Sequence, residues 1–244
     1  RDSLYAVLGT LENLCEIVPE ASAMLTNTKP ISIGFEVKDG PSATITFKNG
    51  RCRMEQGVNK CDVKLPFSSC EKFNGLIDGT VTPIPSKGFQ HIKFLLKTFT
   101  PLTDLLAKYM RPSPEDLQDR TFFEQSTTLM LYTIAVAISQ IANNDKIGQF
   151  SASHIVDGEI GFGIKDGPAV TIRAKNGRLV TIKKRCENPR AEMEFASMDL
   201  ARDLFDGKIN AVACIGMGAI TMKGMISMID NMNRLLDRVA LYLA

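Results

Sequence analysis

Apolar positions along the chain follow two rhythms, and the switches between them outline its elements. Leu4, Leu8, Leu11, Leu14, Cys15 and Val18 recur at three- and four-residue spacing, so residues 2–25 are predicted helical with one apolar stripe. Pro19 either opens a continuing helical piece or ends the first helix. Asn27-Thr28-Lys29-Pro30 is a break. From Ile31 the period becomes two: Ile31, Ile33, Phe35 and Val37 alternate with smaller or polar residues, which predicts a half-buried strand. Asp39-Gly40-Pro41 is a turn in which glycine tolerates a positive φ. Ile45 and Phe47 share one face of the next strand. Asn49-Gly50 has the chemistry of a type I′ hairpin turn, because both residues accept the left-handed conformation. Arg51–Gln56 is the return strand. Cys61–Leu65 is a fourth strand, stopped by Pro66. Ser68 or Ser69 caps a short helix through Ile77. Gln90–Leu95 is expected as a fifth strand. Lys97–Met110, with Leu102, Leu105, Leu106 and Tyr109 at helical spacing, is the closing helix.

The pattern is written twice. Phe35–Arg51 reads FEVKDGPSATITFKNGR, and Phe162–Arg178, 127 residues later, reads FGIKDGPAVTIRAKNGR. Shared letters at identical offsets duplicate two strands and the turns that follow them. The unit is too long for a solenoid and suits a small domain. The Pro/Ser break Arg111-Pro112-Ser113-Pro114 places one domain at 1–111 and a second at 112–244. A helix over 122–143 falls on the first helix at the same shift. It is far more apolar, so it is expected to be covered on most sides, either by tight pairing of the two copies or in a homodimer. The second strand set runs Ile155–Ile164, Val170–Ile172, Leu179–Lys184 and Ala191–Phe195. Ser197 caps a helix Leu200–Phe205. Ala219–Lys223 is a short strand, and a last helix follows Gly224. Met217, Met222, Met225, Met228 and Met232 crowd this end, five of the eleven methionines. Methionine fits surfaces that meet variable apolar shapes, and it also fills ordinary cores; periodicity does not separate the two.

The chain has 244 residues, 44% of them hydrophobic and 23% charged, the profile of a globular protein. A net charge of +2 gives no strong field for nucleic acid or anionic lipid, and Lys183-Lys184-Arg185 reads as a solvated turn or strand edge. No apolar run reaches 18 residues, so no stable membrane insertion is expected. Six cysteines without C-x-x-C, and only two histidines, support neither zinc nor iron–sulfur ligation. The same cysteine usage makes a reducing cytoplasm the simplest location. G-x-S-x-G, H-E-x-x-H, P-loop and dinucleotide fingerprints are missing, and the acids Asp157, Glu159 and Asp166 sit in or beside turns. An enzyme is not expected, and no cofactor is implied.

Two further stretches carry a resemblance. Asp203–Asn210 (DLFDGKIN) and Gly218–Met225 (GAITMKGM), in that order after the Asp166-Gly167 hairpin, resemble the sterol carrier protein 2 (SCP2) family of lipid-binding domains. The match covers about 127–236 and, more weakly, 1–110. Ala211 stands where the family pattern has proline. The first copy keeps only an outline, with Leu96 near the place of Gly224. The resemblance implies an α+β fold: two domains, each a roughly five-stranded mixed sheet covered by helices, with an apolar tunnel between the layers. It implies non-catalytic binding or transfer of a hydrophobic ligand such as a fatty acyl chain, a sterol or a related lipid. The wall candidates in the second copy are Phe195, Leu200, Leu204, Phe205, Val212, Ile215, Met222, Met225, Met228, Ile229 and Met232. In the first copy they are Leu65, Phe73, Leu76, Ile77, Phe94, Leu102 and Leu106. The competing reading is a structural or protein-interaction module with a filled core and no ligand of its own.

Overall fold

A computed structural model describes residues 2–243; of residues 2, 3, 211, 212 and 240–243 it describes the backbone only. The chain forms two compact units, Arg1–Leu129 and Met130–Ala244, and the division falls within a long helix.

The first unit begins with α1 (Asp2–Ile17) and α2 (Pro19–Thr26), so Pro19 both follows one helix and opens the next. The strands β1 (Ile31–Val37), β2 (Ser42–Lys48), β3 (Arg51–Gln56) and β4 (Val63–Phe67) form a sheet ordered β3-β2-β1-β4. β1 is antiparallel to β2 and parallel to β4. Helix α3 (Cys70–Ile77) is capped by Ser69, whose hydroxyl accepts from Lys72 N. A 3₁₀ turn (Phe89–His91) then leads into α4 (Ile92–Phe94), a π-helical turn (Leu95–Phe99) and α5 (Thr100–Met110). Pro101 accounts for the π-turn: it has no N–H to give the carbonyl four residues back, and its ring crowds that carbonyl. A 3₁₀ turn (Asp116–Gln118) precedes α6 (Arg120–Asn144).

The second unit repeats the plan. After α7 (Lys146–Ser153) come β5 (Gly158–Ile164), β6 (Ala169–Lys175), β7 (Arg178–Ile182) and β8 (Ala191–Phe195). They are followed by α8 (Met198–Phe205), capped by Ser197, then α9 (Ala211–Gly216), β9 (Ile220–Gly224) and α10 (Ile226–Leu243). The sheet order is β7-β6-β5-β8-β9. The duplicated letters perform duplicated work. Thr44 donates to the Gly57 carbonyl at 2.9 Å and Thr171 to that of Lys184 at 2.7 Å, each pinning a loop over the outer face of the sheet. Asn49-Gly50 and Asn176-Gly177 all have positive φ, as a type I′ turn requires. In the earlier turns it is Asp39 and Asp166 that take positive φ (54° and 55°), not the glycines after them. Aspartate tolerates this region because its short side chain bonds locally.

The sheets differ in one strand. The first has four strands instead of about five, and Gln90–Leu95 is helical instead of extended. Pro66 sits within β4, which continues to Phe67. Proline offers no N–H to a further neighbour, whereas Glu194 at the matching position pairs with Thr221 of β9. The connection meets the β4 edge at one bridge, where Lys64 N donates to the Lys87 carbonyl and Ser86 N to that of Lys64. A shared glycine ends both connections. Gly88 has φ 81° and Gly224 φ 99°, and a Cβ on either would lie 2.0 Å from a backbone oxygen, of Asp62 or Arg190. Gly88, not the neighbourhood of Leu96, is therefore the counterpart of Gly224.

One apolar core per unit lies between the sheet and its helices. Leu4, Leu8, Leu11, Leu14 and Cys15 of α1 are buried, and so are Leu131, Ala135, Ile138, Ile141 and Ala142 of α6, position for position. Gly224→Ala is expected to cost about 3 kcal/mol or more, because backbone must move to admit the methyl group. Gly207→Ala, also at positive φ but with open space around it, is expected to cost about 1 kcal/mol. Urea unfolding of the two variants checks the difference.

Candidate functional site

The inner face of each sheet carries most of the predicted wall residues, and the two units furnish it differently. In the first unit six phenylalanines interlock. Phe73 of α3 meets Phe35 and Phe67 edge-on, with ring centroids 5.7 and 5.6 Å apart. Phe99 lies 5.8 Å from Phe35 and 6.1 Å from Phe47, and Phe94 lies 5.4 Å from Phe47. Such rings fill space densely and prefer these tilted contacts. The first-copy candidates Leu65, Phe73, Leu76, Leu102 and Leu106 are buried in this core, and Ile77 and Phe94 are packed against it.

In the second unit three rings remain: Phe162 and Phe195 at 5.7 Å, and Phe195 and Phe205 at 5.7 Å. Ala201 stands four residues after its cap Ser197, as Phe73 stands four after Ser69, and Ala174 stands where the first unit has Phe47. Thioethers pack around these positions. Met193 pairs with Met222 across β8 and β9, and Met228 and Met232 lie on the buried side of α10. Phe195, Met228 and Met232 are buried, while Leu200, Leu204, Phe205, Met222 and Ile229 are partly buried against the same core. Ile215 and Met225 are exposed (38% and 37%) and stand apart from that group. The side chain of Val212 lies outside the described residues. Sequence reading did not single out Met193 or Ala201; comparing the two copies helix by helix, once the caps were aligned, would have found Ala201.

One charge is buried nearby. Arg202 of α8 is 2% exposed and lies 3.3 Å from the Asp206 carboxylate one turn on. Burial lowers its pKa, and Asp206 opposes that shift.

The opposite face of the second sheet carries a cleft of about 10 Å³, room for one water. Gly161 and Gly163 line its floor, and Arg185, Cys186, Pro189, Glu192 and Glu194 its walls. It contains none of the predicted wall residues. Its polar groups serve one another: the Cys186 thiol donates to Glu159 Oε2 at 3.3 Å, and Arg173 holds Glu159 Oε1 at 2.9 Å. Arg185 donates to the carbonyls of Ile164 and Gly167 at 3.1 and 2.7 Å, which ties the loop to the Asp166 turn. In the first unit the same place is filled, with Val58 and Cys61 crowding Gly34. Among the described residues no group of three or more His, Cys, Asp or Glu is arranged to hold a metal ion. No helix among them is long and apolar enough to cross a membrane.

No family model and no curated protein matches the chain. Solved structures do. The sterol carrier protein domain 2 of Helicoverpa armigera is 20% identical, with 46% of this chain and 88% of that chain covered and a TM-score of 0.37. Sterol carrier protein 2 from Yarrowia lipolytica, in its apo form, is 18% identical over 45% and 91%, with a TM-score of 0.33. A UbiJ-SCP2 ubiquinone synthesis protein is 12% identical over 46% and 96%, with a TM-score of 0.35. Each is a remote likeness, at single-domain scale, to about half of this chain.

Glu159 gives a local check on the outer face. The Arg173 guanidinium, and secondarily the Cys186 thiol, hold its carboxyl below the usual 4.5. A folded-state value below the unfolded one means its contribution to stability is present above the unfolded pKa and lost as pH falls through the folded value. NMR titration of the Glu159 carboxyl is expected to give a midpoint below 4.5, and Arg173→Gln is expected to raise it.

Proposed function

We propose that the chain is a non-catalytic carrier of a hydrophobic ligand, and that its second domain does the carrying. The observation behind this reading is the contrast between the two interiors. Where the first unit sets Phe73 against Phe35 and Phe67 in a cluster of six rings, the second has Ala201, three rings and four methionines. Flexible, polarizable side chains and a missing ring suit an interior that opens around a guest of variable shape. A fatty acyl chain, a sterol or a related lipid fits the chemistry. Binding would come from removing apolar surface from water, about 0.8 kcal/mol per buried CH₂, so selectivity among chain lengths would be modest.

In this reading Phe195, Leu200, Leu204, Phe205, Met222, Met228, Ile229 and Met232 form the wall of an apolar tunnel, and Ile215 and Met225 its rim. The first domain, with Phe73, Ile77, Phe94, Leu102 and Leu106 in its core, serves as a filled structural partner. The duplication boundary is placed at Arg111-Pro112, with residues 122–143 pairing the copies or a dimer. Six free thiols support a reducing, cytoplasmic setting.

The second reading, an interaction module with no ligand, is favoured by the bare Met217 and Ile226, both 76% exposed. Ala201→Phe separates the two. If the second interior holds a guest, native mass spectrometry of the purified chain shows a hydrophobic ligand at near one per chain. The variant, with the ring restored, then loses the ligand and keeps or raises its urea midpoint. If the interior is filled, the wild type carries no ligand and takes up no fluorescent fatty acid. The added ring then destabilises by about 1–3 kcal/mol through overpacking.

A further inference from the structure

The first unit brings together two thiols that the carrier reading does not use. Cys15 lies on the buried stripe of α1 and Cys52 in β3; they are 37 residues apart in sequence, with their sulfurs at 3.8 Å. They are 1% and 9% exposed. Packing alone does not require sulfur here. The matching positions of the second unit hold Ala142 and Leu179, equally buried, on an equivalent helix and strand. Arg51 stands beside the pair, its Nη1 donating to the Cys15 carbonyl at 3.0 Å and to the Ser22 hydroxyl at 2.9 Å. That clamp holds the end of the helix against the strand and brings a permanent positive charge close to the sulfurs.

We infer that Cys15 and Cys52 are an oxidant-responsive dithiol, which hydrogen peroxide converts to a disulfide that locks α1 onto β3. The Cys52 S–H donates to Cys15, and together with Arg51 this pulls the Cys15 thiol below its usual range against the effect of burial. The same donation, with burial, pushes Cys52 up. Cys15 is thus the attacking sulfur and Cys52 the resolving one. The Cys15 thiolate attacks one peroxide oxygen, the O–O bond breaks, and hydroxide leaves, taking up the proton that Cys15 released. Cys15 becomes a sulfenic acid. Cys52 sulfur then attacks the Cys15 sulfur, the S–O bond breaks, and the hydroxyl leaves as water with the Cys52 proton. Two thiols and one peroxide give one disulfide and two waters. The sulfurs close from 3.8 Å to about 2.05 Å. β3 is an edge strand, so local opening of this seam gives a small oxidant access.

The test uses the full chain, treated with hydrogen peroxide until the more exposed Cys70 and Cys186 are oxidised, and then mapped without reduction. The expected result is a peptide linked through Cys15 and Cys52, released by dithiothreitol. The first unit is also expected to melt roughly 5 °C or more higher when linked. If Cys15 and Cys52 stay alkylatable at that dose, oxidise separately to sulfinic acids, or link to other cysteines, the inference is overturned. The peptide map needs no variant. Cys52→Ser, if it folds, is expected to abolish the link and the melting shift. The outcome is independent of whether the second unit holds a lipid.

Discussion

Each sheet has an inner face of apolar side chains that cannot be left in water, and the need to cover it shapes everything else. Ile33 and Phe35 in the first unit, and Ile160, Phe162 and Ile164 in the second, are almost wholly buried. Burying a side chain of this size stabilises by about 1.5–3 kcal/mol. The central strands cannot do this alone, so the helices are recruited. The first helix of each copy meets the third strand at matching places. Glu12 accepts from the Met54 backbone in one unit, and Ser139 meets Thr181 at 2.6 Å in the other. Asn143 adds a second anchor, bonding both the N–H and the carbonyl of Leu179. With those seams closed, the cover differs from the short helix onward, most of all in the segment between it and the closing helix.

That segment is where the copies part. The first crosses from Thr80 to Lys87 in eight residues and meets a β4 edge blunted by Pro66. The second has room for α9 and a full strand before its shared glycine. A short crossing brings the closing helix, with Phe94 and Phe99, onto the sheet, and the rings lock. A longer crossing delivers Met228 and Met232, and with Ala201 in place of a phenylalanine only Phe205 of the short helix meets the sheet, edge-on to Phe195. The proposed division of labour, one half rigid and one half able to admit a guest, follows from this difference in length and ring content.

Much of this was legible in the sequence for physical reasons. Alternation and helical stripes gave the elements because burial is one-sided in both units. The repeated Asn-Gly turns were certain because few residues accept two consecutive positive φ values. What the sequence hid depended on tertiary context. Gln90–Leu95 alternates enough to look extended, yet with the β4 edge blunted by Pro66 it coils into the closing helix. Gly88 was overlooked because its role is set by a backbone oxygen of Asp62, far back in the chain. Pro66 looked like a stop and is instead a blunted edge. The apolar character of 211–215 was visible, but not its helical form. The wall candidates were a list of apolar positions; which of them share one interior, and that Ile215 and Met225 stand out of it, depended on the packing of α10.

The central claim is that the second interior yields to a guest and the first does not. Methyl NMR of the methionines during titration with a long-chain fatty acid reads this directly. The account predicts that Met193, Met222, Met228 and Met232 shift together and saturably, while Met24 and Met54 of the first unit stay still. Signals that do not move, or movement confined to the exposed Met217 and Met225, would contradict it.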